Sequence, residues 1–241
     1  MNEFVYRLFK KNDVKSFYRE SKKVDYFVLL TEQMKDRFPN KPYTVVECIA
    51  DPKVANYETG KVPLKKSIVY TGTIHNHYGL SELIQSMEYI EEEGVEIVIC
   101  GDGPMREQLI EIALTNSRVK YLGNVSQEDA IAIQRDATIL INPRDNDGEY
   151  TKFSFPSKTL EYMLAAKPVL CHKLDGIPDE YDDYLFYLES NEPKHIAKRI
   201  LEIINLSDAQ RVEIGEKARD FAVEQKSYLV QTKKIIKLLK L

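Results

Sequence analysis

The stretch ATILINPRDNDGEYTKFSFPSKTLEYMLAAKPVL, Ala137 to Leu170, decides the fold. It reads as a buried strand, a long polar loop, a helix opening on Pro156-Ser157-Lys158, and a second apolar run led in by Lys167-Pro168. That is one βαβ unit with an unusually long loop where strand hands over to helix. Ligands of open parallel sheets bind at the carboxyl ends of strands, and long loops inside compact domains are usually functional. The loop is therefore the first place to look for chemistry. Pro156 suits a first helical turn, since it lacks an N–H and its φ is preset. Ser157, Lys158 and Thr159 then offer N–H groups and hydroxyls at the positive end of the helix dipole, which together with the Lys158 ammonium suit a phosphate. Glu161 falls on the same helix face as Lys158, where a carboxylate can accept hydrogen bonds from a ribose diol. Taken alone, that spacing reads first as a surface ion pair on an ordinary capped helix.

Outward from this unit the rhythm is regular. From Ser67 onward SIVYTG, VEIVICG, VKYLG, ATILINP and KPVLC are short β-branched runs, separated by amphipathic segments such as LSELIQSMEYIEEE, PMREQLIEIAL and SQEDAIAIQRD. Strands alternating with helices imply a Rossmann-like α/β domain, a parallel sheet with helices on both faces. LFYLE, Leu185 to Glu189, adds a last short strand. Beyond residue 193 the chain reads as nearly all helix, with Ser207-Asp208 as an N-cap and a basic amphipathic end, YLVQTKKIIKLLKL. That end has the look of a membrane-surface helix, although packing of its Ile and Leu stripe on the protein body is the commoner use of such a pattern.

Towards the amino end, residues 1 to 23 read as a helix with Phe4, Leu8, Val14 and Phe17 on one loosely apolar face. VDYFVLL (Val24 to Leu30) and YTVVEC (Tyr43 to Cys48) read as strands around a helix capped by Thr31, a β-α-β fragment too small to stand alone. Residues 51 to 66 have the composition of a linker. The expected organisation is thus a fragment over 1–50, a linker over 51–66, the main domain over 67–225 and a final helix over 226–241. The fragment leaves strand edges unpaired, which predicts a partner chain or a second copy covering residues 1–50.

The chain has 241 residues, 43% of them hydrophobic, enough for a proper core. A net charge of −4 with no basic block argues against nucleic acid as a partner. The three cysteines, Cys48, Cys100 and Cys171, sit in apolar runs without metal spacing and read as reduced thiols of a cytoplasmic protein. No metal site is expected. No apolar stretch reaches membrane-spanning length, which leaves peripheral contact at the inner face of a membrane open.

Glycines close two strands. Gly72 ends the first strand of the main domain beside Thr73, where a ligand or backbone can approach closely. Gly101-Asp102-Gly103-Pro104 ends the second and opens a helix at Pro104, a GxG lacking the third glycine of a dinucleotide fingerprint because Arg106 stands there. A tight βα turn with no ligand explains it equally well, and an NAD-dependent oxidoreductase is disfavoured.

In order, YTGTIHNHYGLSELIQSM, EIVICGDGPMREQLIE, VKYLGNVSQEDAIAIQRDATILINPR, FSFPSKTLEYMLAAKPVL and GIPDEY resemble the carboxyl-terminal domain of the family 4 (group 1) glycosyltransferases of the GT-B fold. Residues 24 to 51 resemble the tail of that family's amino-terminal domain, which is otherwise truncated here. The resemblance implies binding of a nucleotide-sugar, with a UDP- or GDP-sugar as substrate and no cofactor, and transfer of the sugar with retention of configuration in polysaccharide or glycoconjugate synthesis. In the family's E-x7-E pattern the second glutamate, holding the ribose hydroxyls, maps onto Glu161, and the first falls on Phe153. Ser154, Phe155, Pro156 and Ser157 would then supply backbone contacts near the donor sugar. The family's Arg and Lys that grip the diphosphate fall on Thr73 and Tyr78, with Arg144 and Lys158 as substitutes. Gly103 would lie near the base or ribose, and the turn at Asn124-Val125 would meet the base edge. His75 and His77 sit in a polar loop near Gly72, within reach of the cleft, but with no carboxylate paired to them they read as solvent-exposed rather than catalytic, and His172 and His195 read as structural or surface residues. The alternative is a module that binds the nucleotide-sugar without catalysis, or one subunit of a split transferase whose partner supplies the acceptor domain.

Overall fold

In the computed structural model, the residues described are 13–38, 40–55, 66–146 and 148–240. The main sheet consists of six parallel strands, β3 (Lys66–Thr71), β4 (Val95–Cys100), β5 (Val119–Gly123), β6 (Ile139–Asn142), β7 (Val169–His172) and β8 (Phe186–Leu188), in the spatial order β5-β4-β3-β6-β7-β8. From β3 the chain winds outward to β4 and β5, then returns to the other side of β3 and winds through β6, β7 and β8. Crossovers leave in opposite directions between β3 and β6, and a crevice opens at the carboxyl ends of strands where this happens.

Period-two alternation builds a core on each face. Val69, Val98, Leu140, Val169 and Cys171 point to one side, where they meet α6 (Ser157–Leu164) through Leu160 and Met163 and α8 (Asp208–Lys226) through Ala218, Phe221 and Ala222. Ile68, Tyr70, Ile97, Ile99, Ile139, Ile141 and Leu170 point to the other, packed by Leu80 and Leu83 of α3 (Leu80–Ser86), Leu109 of α4 (Arg106–Thr115) and Ile196, Ile200 and Ile203 of α7 (Pro193–Ile204). Strands buried on both faces are why these runs are continuously apolar in sequence. A sixth helix of the main domain, α5 (Gln127–Arg135), starts on Ser126, whose hydroxyl accepts from the Asp129 N–H. Ser207 and Gln210 form a full capping box at the start of α8. Among the described residues, no helix is long and apolar enough to cross a membrane.

In the amino-terminal part the described strands are shorter than expected. A helix over residues 13–21, α1, precedes β1 (Phe27–Leu29) and β2 (Tyr43–Val45), which pair in parallel as a separate two-stranded sheet. The expected helix between them is a 3-10 turn, Glu32–Arg37, with no buried residue to anchor a longer one, and Thr31 does not cap it. The Thr31 hydroxyl instead donates to the carbonyl of Lys152 at 2.7 Å. Residues 1–12 and most of the expected linker lie outside the described residues; within the linker, Pro52–Ala55 forms one helical turn, α2.

What holds this part to the main domain is a buried charge cluster. The Lys226 side chain is 1% exposed, and its ammonium bonds Glu47, itself 2% exposed, and Glu180. The Tyr181 hydroxyl donates to Glu47 at 3.0 Å, and the ammonium lies 4.9 Å from the centre of the Tyr181 ring. Around the cluster, Ala50 bridges Ser227 in parallel register, and Gln231 donates to the carbonyl of Cys48 at 3.0 Å. The final helix α9 (Tyr228–Leu239) thereby packs on β2, with the outer residues Tyr228, Leu229, Ile236 and Leu239 exposed.

Burial opposes ionisation of Glu47, but the Lys226 hydrogen bond and charge outweigh it and hold the carboxyl below its ordinary value of 4.5. A lowered folded pKa stabilises fully above the ordinary value and is lost as pH falls below it. Stability measured by urea unfolding is therefore expected to drop on acidification below pH 4.5, and less so in Glu47→Gln. Lys226→Met should cost about 3–5 kcal/mol by leaving Glu47 charged without its counter-ion, and the double variant with Glu47→Gln should recover much of that. A second expectation reverses a usual sign. Gly215 lies inside α8, where alanine normally stabilises by about 1 kcal/mol, yet a Cβ there would stand 2.1 Å from the carbonyl oxygen of Ala166. Gly215→Ala should lower the melting temperature.

Candidate nucleotide-binding cleft

Four chain segments meet at the carboxyl edge of the sheet. The ends of β3 (Thr71, Gly72, Thr73), β4 (Cys100, Gly101, Asp102) and β5 (Asn124, Val125) face the first turn of α6, and together with the start of α5 they enclose a cleft of about 520 Å³. Lys158 and Glu161 stand on its wall, joined by ammonium-to-carboxylate contacts of 2.9 Å to both oxygens. The surface-pair reading is thus right about the contact, and the pair lies at a concave site.

Backbone contact between loops shapes this edge. The N–H of Gly72 bonds the carbonyl of Cys100 at 3.0 Å, and the N–H of Gly101 bonds that of Gly123 at 2.8 Å. A Cβ on Gly101, whose φ is +139°, would fall 1.8 Å from the Gly72 oxygen. The strand-end glycines therefore serve loop packing before any ligand is considered.

Behind the wall runs a polar network. The Tyr162 hydroxyl accepts from the Thr71 N–H at 2.8 Å and donates to the Thr71 carbonyl at 3.0 Å, pinning α6 to the end of β3. Gln134, buried on α5, donates to the Thr71 hydroxyl at 2.8 Å and to Glu161 at 2.6 Å. Glu161 is thus oriented from two helices. Gln134 and Tyr162 escape a reading of the sequence as functional positions; a glutamine set four residues after Ala130, on the inward side of α5, is the signal that was available.

Of the residues expected from sequence, Gly72, Thr73, Gly101, Asn124, Val125, Lys158 and Glu161 line the cleft. Ser157 is exposed at the first position of α6. The others lie elsewhere. Gly103 packs against the backbone of Ile74, whose oxygen would stand 2.1 Å from a Cβ there, and α4 begins at Arg106 rather than Pro104. Thr159 is fully buried with its N–H bonded to the Pro156 carbonyl at 2.8 Å, so neither its hydroxyl nor its N–H is presented to a ligand. Pro156 is the capping residue rather than the first helical one, and Phe155 is buried in the core against Tyr181. The Ser154 hydroxyl is buried, and its carbonyl closes on Gly176. Phe153 lies beneath the Arg37 guanidinium, 4.8 Å from ring centre to carbon. Arg144 lies off the cleft lining, its guanidinium 5.7 Å from the Tyr78 ring and 5.2 Å from Tyr150. His75 and His77 stack at 4.8 Å, and His172 is buried against Asn191 at 2.6 Å.

Residues 57–221 match the family model described as glycosyl transferases group 1. The chain belongs to this family. Among solved structures, this group 1 glycosyltransferase chain is similar to TarM of S. aureus in complex with fondaparinux, alpha-GlcNAc-glycerol and UDP, at 15% identity and a TM-score of 0.75 over 95% of this chain and 47% of that one. HepE of Anabaena in complex with UDP and glucose matches at 17% identity and a TM-score of 0.69, over 90% of this chain and 63% of HepE. A glycosyltransferase from Rickettsia africae matches at 15% identity and a TM-score of 0.68, over 93% of this chain and 67% of that one. At these identities the likeness is one of fold, and the chain spans about half to two thirds of those proteins. A search of the curated proteins gives no match.

Tyr162→Phe should cost about 1–3 kcal/mol in urea unfolding, because it strands the buried Thr71 N–H.

Proposed function

We propose that the cleft binds a nucleotide-sugar and that the chain is the donor-binding half of a retaining glycosyltransferase of polysaccharide or glycoconjugate synthesis. The observation that carries this reading is the Lys158–Glu161 pair, held on the cleft wall at the start of α6. In this reading the ribose diol donates to Glu161, and Lys158 turns from the carboxylate to the diphosphate. The backbone donors at the start of α6, Ser157 first, face the same anion. Arg144, over the ring of Tyr78, returns a cation to the neighbourhood where the family resemblance expects one. Such donors stabilise a leaving diphosphate as its charge grows, with no cofactor needed. The turn at Asn124-Val125 meets the base. Support comes from the TarM and HepE structures, which hold UDP on the same fold. Free Cys48, Cys100 and Cys171 support a reducing, cytoplasmic setting.

A second reading, one subunit of a split transferase, is favoured by β1. Val28 of β1 and Leu30 just after it are half-exposed, beside a sheet that has two strands among the described residues. Such a sheet gains stability from further strands or a covering helix, which a partner chain, or a second copy, would supply with the acceptor site. Sugar transfer by the chain alone would exclude this second reading.

Calorimetric titration with UDP, GDP, ADP and their sugars tests the donor site. One nucleotide should bind, and Glu161→Ala should weaken it by about 1.5–3 kcal/mol, the worth of a hydrogen bond to a charged group. Lys158→Ala should weaken the diphosphate more than the nucleoside. No binding by any of the three would refute the proposal.

A further inference from the structure

Helix α9 is apolar on two sides, and packing uses only one. Its inner face carries buried Gln231, bonded to Cys48, with Val230, Ile235 and Leu238 half-buried against the body. Tyr228, Leu229, Ile236 and Leu239 are on the outside, each between 38% and 59% exposed. At 3.6 residues per turn these four fall within an arc of roughly 100°, and exposed Lys233 and Lys237 border that arc on one side, with Lys240 at the helix end. From Ser227 to Leu241 there is no Asp or Glu, in a chain whose net charge is −4. Isolated exposed apolar side chains are ordinary. An outer stripe of four, edged by lysines and free of acids, matches an apolar layer under an anionic one.

We propose that the outer face of α9 docks this protein on an anionic membrane surface, independently of what the cleft binds. The helix lies in the plane of the interface, with Leu229, Ile236 and Leu239 among the acyl chains and Tyr228 at the headgroup level. The lysine stems lie along the apolar stripe and carry their ammonium groups to the lipid phosphates. A protein partner would be served by the apolar stripe alone; the lysine border favours lipid.

The test is co-sedimentation of the full chain with vesicles of phosphatidylcholine, with and without one-third phosphatidylglycerol. Binding should require phosphatidylglycerol and weaken with added salt. Replacing Lys233, Lys237 and Lys240 together by glutamine should reduce partitioning about a hundredfold, at roughly 1 kcal/mol per lysine. The exposed positions of these lysines predict an unchanged thermal melt in the same variant. Leu229→Ser with Ile236→Ser should also release the protein. The sequence contains no tryptophan, so Tyr228→Trp provides a single reporter whose emission should shift to the blue on anionic vesicles only. Equal binding to neutral vesicles, no binding to either, or full binding by the triple glutamine variant would overturn the proposal. So would self-association without lipid that buries the same reporter.

Discussion

An ammonium group that is almost wholly buried needs its partners in place, and Lys226 has them only when three parts of the chain are assembled. Glu47 comes from the segment after β2, Glu180 and Tyr181 from the turn before β8, and Lys226 from the end of α8. Removing Lys226 leaves Glu47 charged without its counter-ion in a place water does not reach, whereas Glu180 stands half-exposed at the edge of the cluster. The cluster therefore ties the small two-stranded sheet to the main domain by its buried charges, and it lies next to α9, which begins two residues further on. Neither unit has another buried charge pair to the other among the described residues.

The cleft depends on a different constraint, the close approach of backbone at the carboxyl edge. Loops after β3 and β4 touch through Gly72 and Gly101, and Tyr162 and Gln134 tie β3 to α6 and α5. Glu161 and Lys158 are thus mounted on a preassembled wall, and much of the ordering that a ligand would otherwise impose is already done by the fold. The mixture of glycine, buried hydroxyl and half-buried charge has no hydrophobic period, because nothing in it is selected for burial of apolar surface.

That difference explains what the sequence reveals. The six strands and their two-sided burial are legible because apolar alternation is a local signal, and Lys158 and Glu161 are legible because helix spacing is local too. Gly103 misleads because a glycine that admits a neighbouring backbone, here that of Ile74, looks the same as one that admits a ligand. Thr159 misleads because one step along a helix turns a side chain by roughly 100°, from the cleft at Lys158 into the core. Thr31 looks like a helix cap by composition, but its hydroxyl is claimed by Lys152, 121 positions away. Contacts of that kind are set by the fold as a whole and leave no trace in neighbouring residues.

The pairing of Glu47 with Lys226 spans 179 positions, and this carries a consequence for biosynthesis. A ribosome adding about 5–20 residues per second takes roughly 10–35 s to travel that distance. Throughout that interval β1, β2 and Glu47 have been made while their anchor does not yet exist. Glu47 and the two strands before it are thus synthesised well before the residue that anchors them, so the joint between the small sheet and the main domain closes late.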